Sequence, residues 1–421
     1  MTDSKQPKQS KASSSHNSLK RSLGFWDNLL FGVGSILGAG IYAIIGEVAG
    51  LSGSLLWLSL LIAAVTALLT ACCYGELVSM FPDSGGGYEY ISQALGRRFA
   101  NIMSAILFLT GVVSPAAISL AFGEYLGRLW DIDVAWSASG IIVLMAIVNV
   151  IGARNSSRVN TISTVITIAG LAVVIGCASP EIGSVSLMET AERGWTGVFS
   201  AAALAFFSYV GFEDVVKLAE ETKQPRVNTP WSLVTASLFA MVVYVAVAVS
   251  AASAVDWRAL SESQGALSSV MRETWGQTGV TFICLVALFA TSKCILSNML
   301  SNSRLLYDLS RDTAMPSWMG YLLPAFQTPV VAIVFIAVVT WLFSLIGNLG
   351  QVASISNLCV LTLFLLVNIS LVVLRITRPD LQPKFRLPFN VKGVSIISLL
   401  AILSIVLLIG FNIANLVSML P

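Results

Sequence analysis

Apolar and polar positions along the 421-residue chain separate into long apolar runs divided by short polar or charged segments. Eleven runs stand out, near 26–50, 53–80, 100–129, 134–151, 159–178, 195–220, 231–255, 278–306, 330–348, 352–374 and 394–420. A helix crossing a hydrocarbon core about 30 Å thick needs about 20 residues, and each run suffices for one crossing. None alternates in the roughly ten-residue pieces of a membrane β-barrel. The pattern predicts an all-α polytopic membrane protein with spans 1 to 11, its termini on opposite faces. Residues 1–22 are rich in Ser, Lys and Gln and predict a disordered tail, followed by one membrane domain over 23–421.

Two spans are interrupted. Span 1 carries "GVGSILGAGIY", residues 32–42, with four glycines, each costing a helix about 1 kcal/mol relative to alanine. Span 6 carries "FFSYVGFEDV", residues 206–215, where Ser208 and Gly211 precede two adjacent carboxylates. Gly34, Gly38, Ser208 and Gly211 mark the two breaks. Five spans separate them, so a second five-helix unit enters the membrane inverted, and interrupted spans at matching positions of inverted halves point to a transporter's binding site. The repeats fall near 23–180 and 194–376, with an extra helix near 394–420. An unwound turn in lipid leaves backbone groups that something polar has to satisfy. Around residues 36–41 the free amides and dipole of the second half-helix suit an anion. The carbonyls of the first half-helix, near Gly32 to Leu37, suit a cation. A zwitterion fits both ends. The glycines are equally those of close helix packing, as in the Gly34–Gly38 spacing.

Composition supports a lipid environment, with 56% hydrophobic and 11% charged residues, more apolar surface than a soluble chain can hide. With the N-terminus taken as cytoplasmic, nineteen Lys and Arg fall on the inner side. Arg128, Arg193, Arg258 and Arg272 fall outside, and Lys293 lies within span 8. That bias orients the chain with its N-terminus in the cytoplasm of a cell that carries it in its inner or plasma membrane. Cations spread over membrane loops do not make a nucleic-acid surface. The single histidine, His16, lies in the tail and speaks against histidine catalysis or a metal site. Six cysteines (Cys72, Cys73, Cys177, Cys284, Cys294, Cys359) sit in apolar runs without a CxxC pair and read as small core residues. No cleavable signal peptide, HExxH, phosphate loop or selectivity filter is evident. The expectation is a non-enzyme without cofactor.

Four stretches together resemble the amino acid–polyamine–organocation superfamily, on the branch of amino acid permeases. They are "LKRSLGFWDNLLFGVGSILGAGIY" (19–42), "YGELVSMFPDSGGGYEYISQALG" (74–96), "FFSYVGFEDVVKLAEETKQPRVNTP" (206–230) and "SNSRLLYDLSRDTAMP" (301–316), in the family's order. The resemblance implies the five-plus-five inverted-repeat fold and alternating access. It implies that a substrate carboxylate meets the amides of Ala39, Gly40 and Ile41. The substrate ammonium would meet the carbonyls of Ile36, Phe207 and Val210, with Phe207 as an aromatic gate. Two departures stand out. Most members have twelve helices, and Ala39 replaces the usual Ser or Thr, which leaves carboxylate binding to backbone amides.

Lys293, in "LFATSKCILSN", is charged at mid-span, a position that costs at least about 2.5–3.5 kcal/mol and marks function by default. By the resemblance it aligns with a sodium-site residue of sodium-coupled relatives. Some proton-coupled members place a lysine there from span 5, where this chain has Thr167. Lys293 is expected to substitute for sodium by donating to the span 1 carbonyls near Val33 to Ile36. Desolvation disfavours a charged lysine, so proton coupling is one role; a permanently charged brace in an exchanger is the other. Glu213 is either a pH-responsive acid or, with Lys217 four residues on, part of a solvating ladder, and Asp214 is the weaker candidate. Glu47, Glu124 and Trp130 read as interfacial, and Glu76 and Asp83 as fixing the inner loop. The sequence thus predicts secondary active transport of an amino acid, as proton-coupled symport without sodium. The alternatives are an amino acid or polyamine exchanger, and a non-transporting sensor.

Overall fold

A computed structural model describes residues 21–82, 86–151, 156–183, 185–311, 317–323, 328–391 and 393–419. His16, Asp83 and all of the predicted tail but Arg21 and Ser22 lie outside these. Fifteen α-helices follow in chain order among the described residues: α1 (Phe25–Ile36), α2 (Gly40–Ser52), α3 (Leu56–Met80), α4 (Gly87–Leu95), α5 (Arg97–Trp130), α6 (Val134–Ile151), α7 (Ser156–Ala178), α8 (Gly194–Ala205), α9 (Asp214–Lys217), α10 (Pro225–Ala254), α11 (Trp257–Glu262), α12 (Ala266–Arg311), α13 (Val330–Ser344), α14 (Leu349–Thr377) and α15 (Ile396–Ser418). A backbone surrounded by lipid has to close its own hydrogen bonds, and these long apolar runs do so as helix.

The predicted spans map onto this order. Span 1 is the pair α1 and α2, and span 6 is α8 and α9 joined by a 3₁₀ turn over Phe206–Tyr209. Spans 2 to 5 are α3, α5, α6 and α7; span 7 is α10; spans 9 to 11 are α13, α14 and α15. Span 8 is the inner part of α12, which kinks at Gly276 (φ 67°). At 15 residues α13 is shorter than its apolar run. It rises only about 22 Å, because Leu345 to Gly347 close into a turn.

Burial orders the bundle. In the most apolar stretch of Gly194–Lys217, 78% of residues are buried, against 28% in Ile396–Ser418. Span 6 is therefore the centre and α15 the rim, with Leu399, Leu403 and Val406 facing outward. The inner face of α15 docks through Asn412 Nδ2, which donates to Ser354 O (2.9 Å), and through Phe411 stacked on Phe199.

One buried ion pair closes one end of α3 and α14. Arg375 and Glu76 side chains are 3% and 0% exposed. Arg375 Nε donates to Glu76 Oε1 (2.7 Å) and Nη2 to Oε2 (2.5 Å), while Leu387 N donates to Oε2 (2.8 Å). Arg375 also donates to Asn390, at the start of a hairpin of β1 (Asn390–Val391) and β2 (Val394–Ser395) with Asn390 opposite Ser395. Glu76 thereby anchors the loop between α14 and α15.

Candidate functional site

The chain of span 1 stops and restarts in three residues. Leu37 N donates to Val33 O (2.8 Å) and Gly38 N to Ile36 O (2.7 Å), which closes α1 in a tight turn. Ala39 then caps α2, whose ladder opens with Ala43 N donating to Ala39 O (3.0 Å). The first-turn amides of a helix have no partner within it, so those of Gly40 and Ile41 face away from the ladder. Ala39 and Ile41 are sealed at 1% and 0% exposure, while Gly40 between them is only half-buried.

Span 6 is interrupted beside it. After the 3₁₀ turn, Val210 is extended (φ −65°, ψ 139°) and Gly211 has φ 120°, a backbone state open to glycine and strained for other residues. A Cβ at Gly211 would also lie 2.7 Å from Ser35 O, so the two breaks touch. Phe207 in the turn is 5% exposed. Side chains satisfy much of the freed backbone. Asn357 Nδ2 on α14 donates to Ala203 O (2.6 Å) and Leu204 O (2.9 Å) at the end of α8. Glu213 Oε2 accepts from Gly211 N (2.9 Å).

The acidic pair behaves differently from the ladder read in the sequence. Lys217 Nζ donates to Asp214 Oδ1 (2.6 Å), three residues before it, and not to Glu213. The reason is local: α9 has only four residues, and Glu213 turns back onto the break. Asp214 Oδ2 in turn accepts from Ser35 Oγ (3.3 Å), linking α1 of span 1 to α9 of span 6.

Helix α12 meets both ends of the span 1 break with consecutive residues. Lys293 Nζ donates to Gly34 O (3.3 Å), at the carbonyl end, and Ala39 N donates to Cys294 Sγ (3.3 Å), at the amide end. Gly38 lies against the same sulfur, 2.8 Å from where its Cβ would stand. On α7 the residue against Gly34 is Thr164, whose Cβ and Cγ2 lie 3.1 Å from a Cβ built there. Thr167 is one turn further along: its Oγ1 donates to Ser163 O (2.9 Å) and its carbonyl accepts from Tyr42 Oη (3.3 Å). Ile36 O also accepts from Tyr244 Oη (2.7 Å).

The structure thus gathers Gly34, Ile36, Gly38, Ala39, Gly40 and Lys293 at one break, and Phe207, Ser208, Val210, Gly211 and Glu213 at the other. Sequence reasoning missed Tyr244, Asn357, Thr164 and the contact of Cys294. Asn357 carried a usable signal, since an amide inside an apolar run has to find a partner. Glu124, read as interfacial, accepts from Gly265 N (3.3 Å) and is partly buried. Among the described residues no cluster of three metal-ligating side chains occurs, and all six cysteines are free thiols.

A helical bundle with two broken helices in contact at its centre defines a multi-pass membrane protein of the transporter type. The chain belongs to the amino acid permease family, whose family model matches residues 23–419. It is 30% identical to a branched-chain amino acid permease of Bacillus subtilis, over 94% of this chain and 89% of the relative. It is 29% identical to a methylthioribose transporter of the same organism, over 90% and 86%. It is 27% identical to cationic amino acid transporter 1 of Arabidopsis thaliana, over 89% and 66%.

Proposed function

We propose that this chain is a secondary active amino acid transporter working by alternating access, with proton-coupled symport independent of sodium. The observation that carries the reading is the pair of contacts from α12 to one break, Lys293 to Gly34 O and Cys294 to Ala39 N. A cation held on the first half-helix's carbonyls is what a coupling ion supplies, and here the chain provides it covalently. The open amides of Gly40 and Ile41 are the seat for the carboxylate. The carbonyls of Ile36, Phe207 and Val210 receive the ammonium, with Phe207 closing over the solute. Glu213 and Asp214 hold the inner half of span 6 to its own break and to Ser35.

Amino acid specificity is supported by the family and by two of the relatives, the branched-chain amino acid permease and the cationic amino acid transporter. In this reading the N-terminus faces the cytoplasm and the protein sits in the plasma or inner membrane. A second reading, exchange of amino acids or polyamines, draws on the same contact: a lysine that never lets go of Gly34 O would brace the helices without carrying a proton. Uptake of each of the twenty labelled amino acids into proteoliposomes, with an imposed pH gradient and without sodium, separates the two. Gradient-driven accumulation supports symport. Uptake that requires amino acid inside the vesicle supports exchange. Binding without any flux leaves a sensor and sinks the transport reading.

A further inference from the structure

The amide end of the span 1 break offers backbone donors, but Ala39 contributes no polar side chain. The hydroxyl next to it belongs to the other break. A Cβ built on Gly40 would lie 2.6 Å from Ser208 Cα and 3.3 Å from Ser208 Oγ. Ser208 is 1% exposed, and its hydroxyl has no hydrogen-bond partner. Its neighbours are satisfied: Tyr209 Oη donates to Leu60 O (3.1 Å) and Gly211 N to Glu213. A buried hydroxyl left unpaired carries a desolvation cost that a ligand removes on binding.

We infer that Ser208 is a substrate-positioning residue, whose Oγ–H donates to the carboxylate held on the Gly40 and Ile41 amides. The inference rests on the proposed amino acid site and assigns one of its ligands to span 6. The carboxylate then bridges the two broken helices, touching α2 through its amides and the Phe206–Tyr209 turn through Ser208. Binding strength and the closeness of the two breaks become linked, because the third donor is present only while Ser208 remains against Gly40. A solute with the ammonium alone gains nothing from this contact.

The test uses the full-length protein in proteoliposomes. Each of the twenty L-amino acids is first screened against wild type by thermal shift, and the strongest ligand is then used labelled. Ser208→Ala is expected to raise KM about tenfold, the value of one hydrogen bond to a charged group, with kcat within about twofold. Ser208→Cys keeps the size and a weak donor, so its KM falls between the two. If Ser208→Ala does not fold, Ser208→Cys carries the test alone through its raised KM. The inference is overturned if every folded variant has wild-type KM, or if the loss lies in kcat alone. A wild type that neither binds nor moves any of the twenty amino acids defeats instead the function on which the inference stands.

Discussion

Tyr244 Oη donates to Ile36 O across 2.7 Å, from the middle of α10 to the last residue of α1. That carbonyl already accepts from Gly38 N at 2.7 Å, so both of its acceptor positions are filled. Tyr244 is fully buried and packs edge-on to Tyr209, with ring centroids 5.1 Å apart. The tyrosine therefore stabilises the broken end of α1 and competes for an oxygen that the proposed ammonium site requires.

Tyr244→Phe separates these two roles. Losing the hydroxyl should destabilise the ligand-free protein by about 1 kcal/mol, the usual net value of a hydrogen bond, and lower its melting temperature. The same change frees Ile36 O, so amino acid affinity should rise about fivefold and the ligand-induced thermal shift should widen. Weaker binding by Tyr244→Phe would show instead that the hydroxyl stays in place and orients the solute.

Much of this architecture was legible in the sequence because lipid imposes a simple rule. Apolar runs long enough to cross must be helix, and glycines or small residues beside charges mark where a helix fails. That reasoning located α1 and α2, α8 and α9, and the contact region of Lys293. What it could not read was pairing at a distance. Tyr244 to Ile36, Asn357 to the end of α8 and Thr164 against Gly34 join residues far apart in the chain, and register between helices is set by packing. The Lys217 pairing failed for a local reason: an i,i+4 contact needs more helix than the single turn of α9.

Lys293→Met should keep the side chain's length and remove its charge. The Gly34 carbonyl loses its donor, and α12 loses the cation it brings to the break. Uptake by this variant should be at least about tenfold slower, the value of one charge-assisted hydrogen bond. Its residual rate should no longer vary with pH. Rates measured in proteoliposomes over a pH series check this, and a variant that retains the wild-type pH profile would remove Lys293 from coupling.

At Gly34, α1 lies directly against Thr164 of α7. A methyl group there overlaps Thr164 Oγ1 and crowds the Thr164 Cβ and Cγ2 at 3.1 Å. Overpacking of this kind costs about 1–3 kcal/mol, and it would draw Gly34 O away from Lys293. Gly34→Ala should therefore reduce both melting temperature and uptake. Adding Thr164→Ala should restore most of each, because it removes the overlapping Oγ1 and the crowding Cγ2 and leaves only the Cβ contact. Thr164→Ser keeps the hydroxyl and should not rescue. Equal rescue by alanine and serine would place the fault elsewhere than this contact.

The Arg375–Glu76 pair offers a different readout, because it holds a loop and does not touch the proposed site. Removing one partner of a buried pair strands the other charge, at about 3–5 kcal/mol. Arg375→Met should therefore destabilise strongly. Replacing both residues by Met removes both charges and should recover most of the stability. The double variant still lacks the acceptor for Leu387 N and the donor to Asn390. Its loop should therefore open, with trypsin cutting faster after Lys384 and Arg386 than in wild type at matched melting temperature. Denaturation midpoints and digestion time courses check the two effects separately. If Arg375→Met matched wild type in both, the ion pair would have no part in closing that end of the bundle.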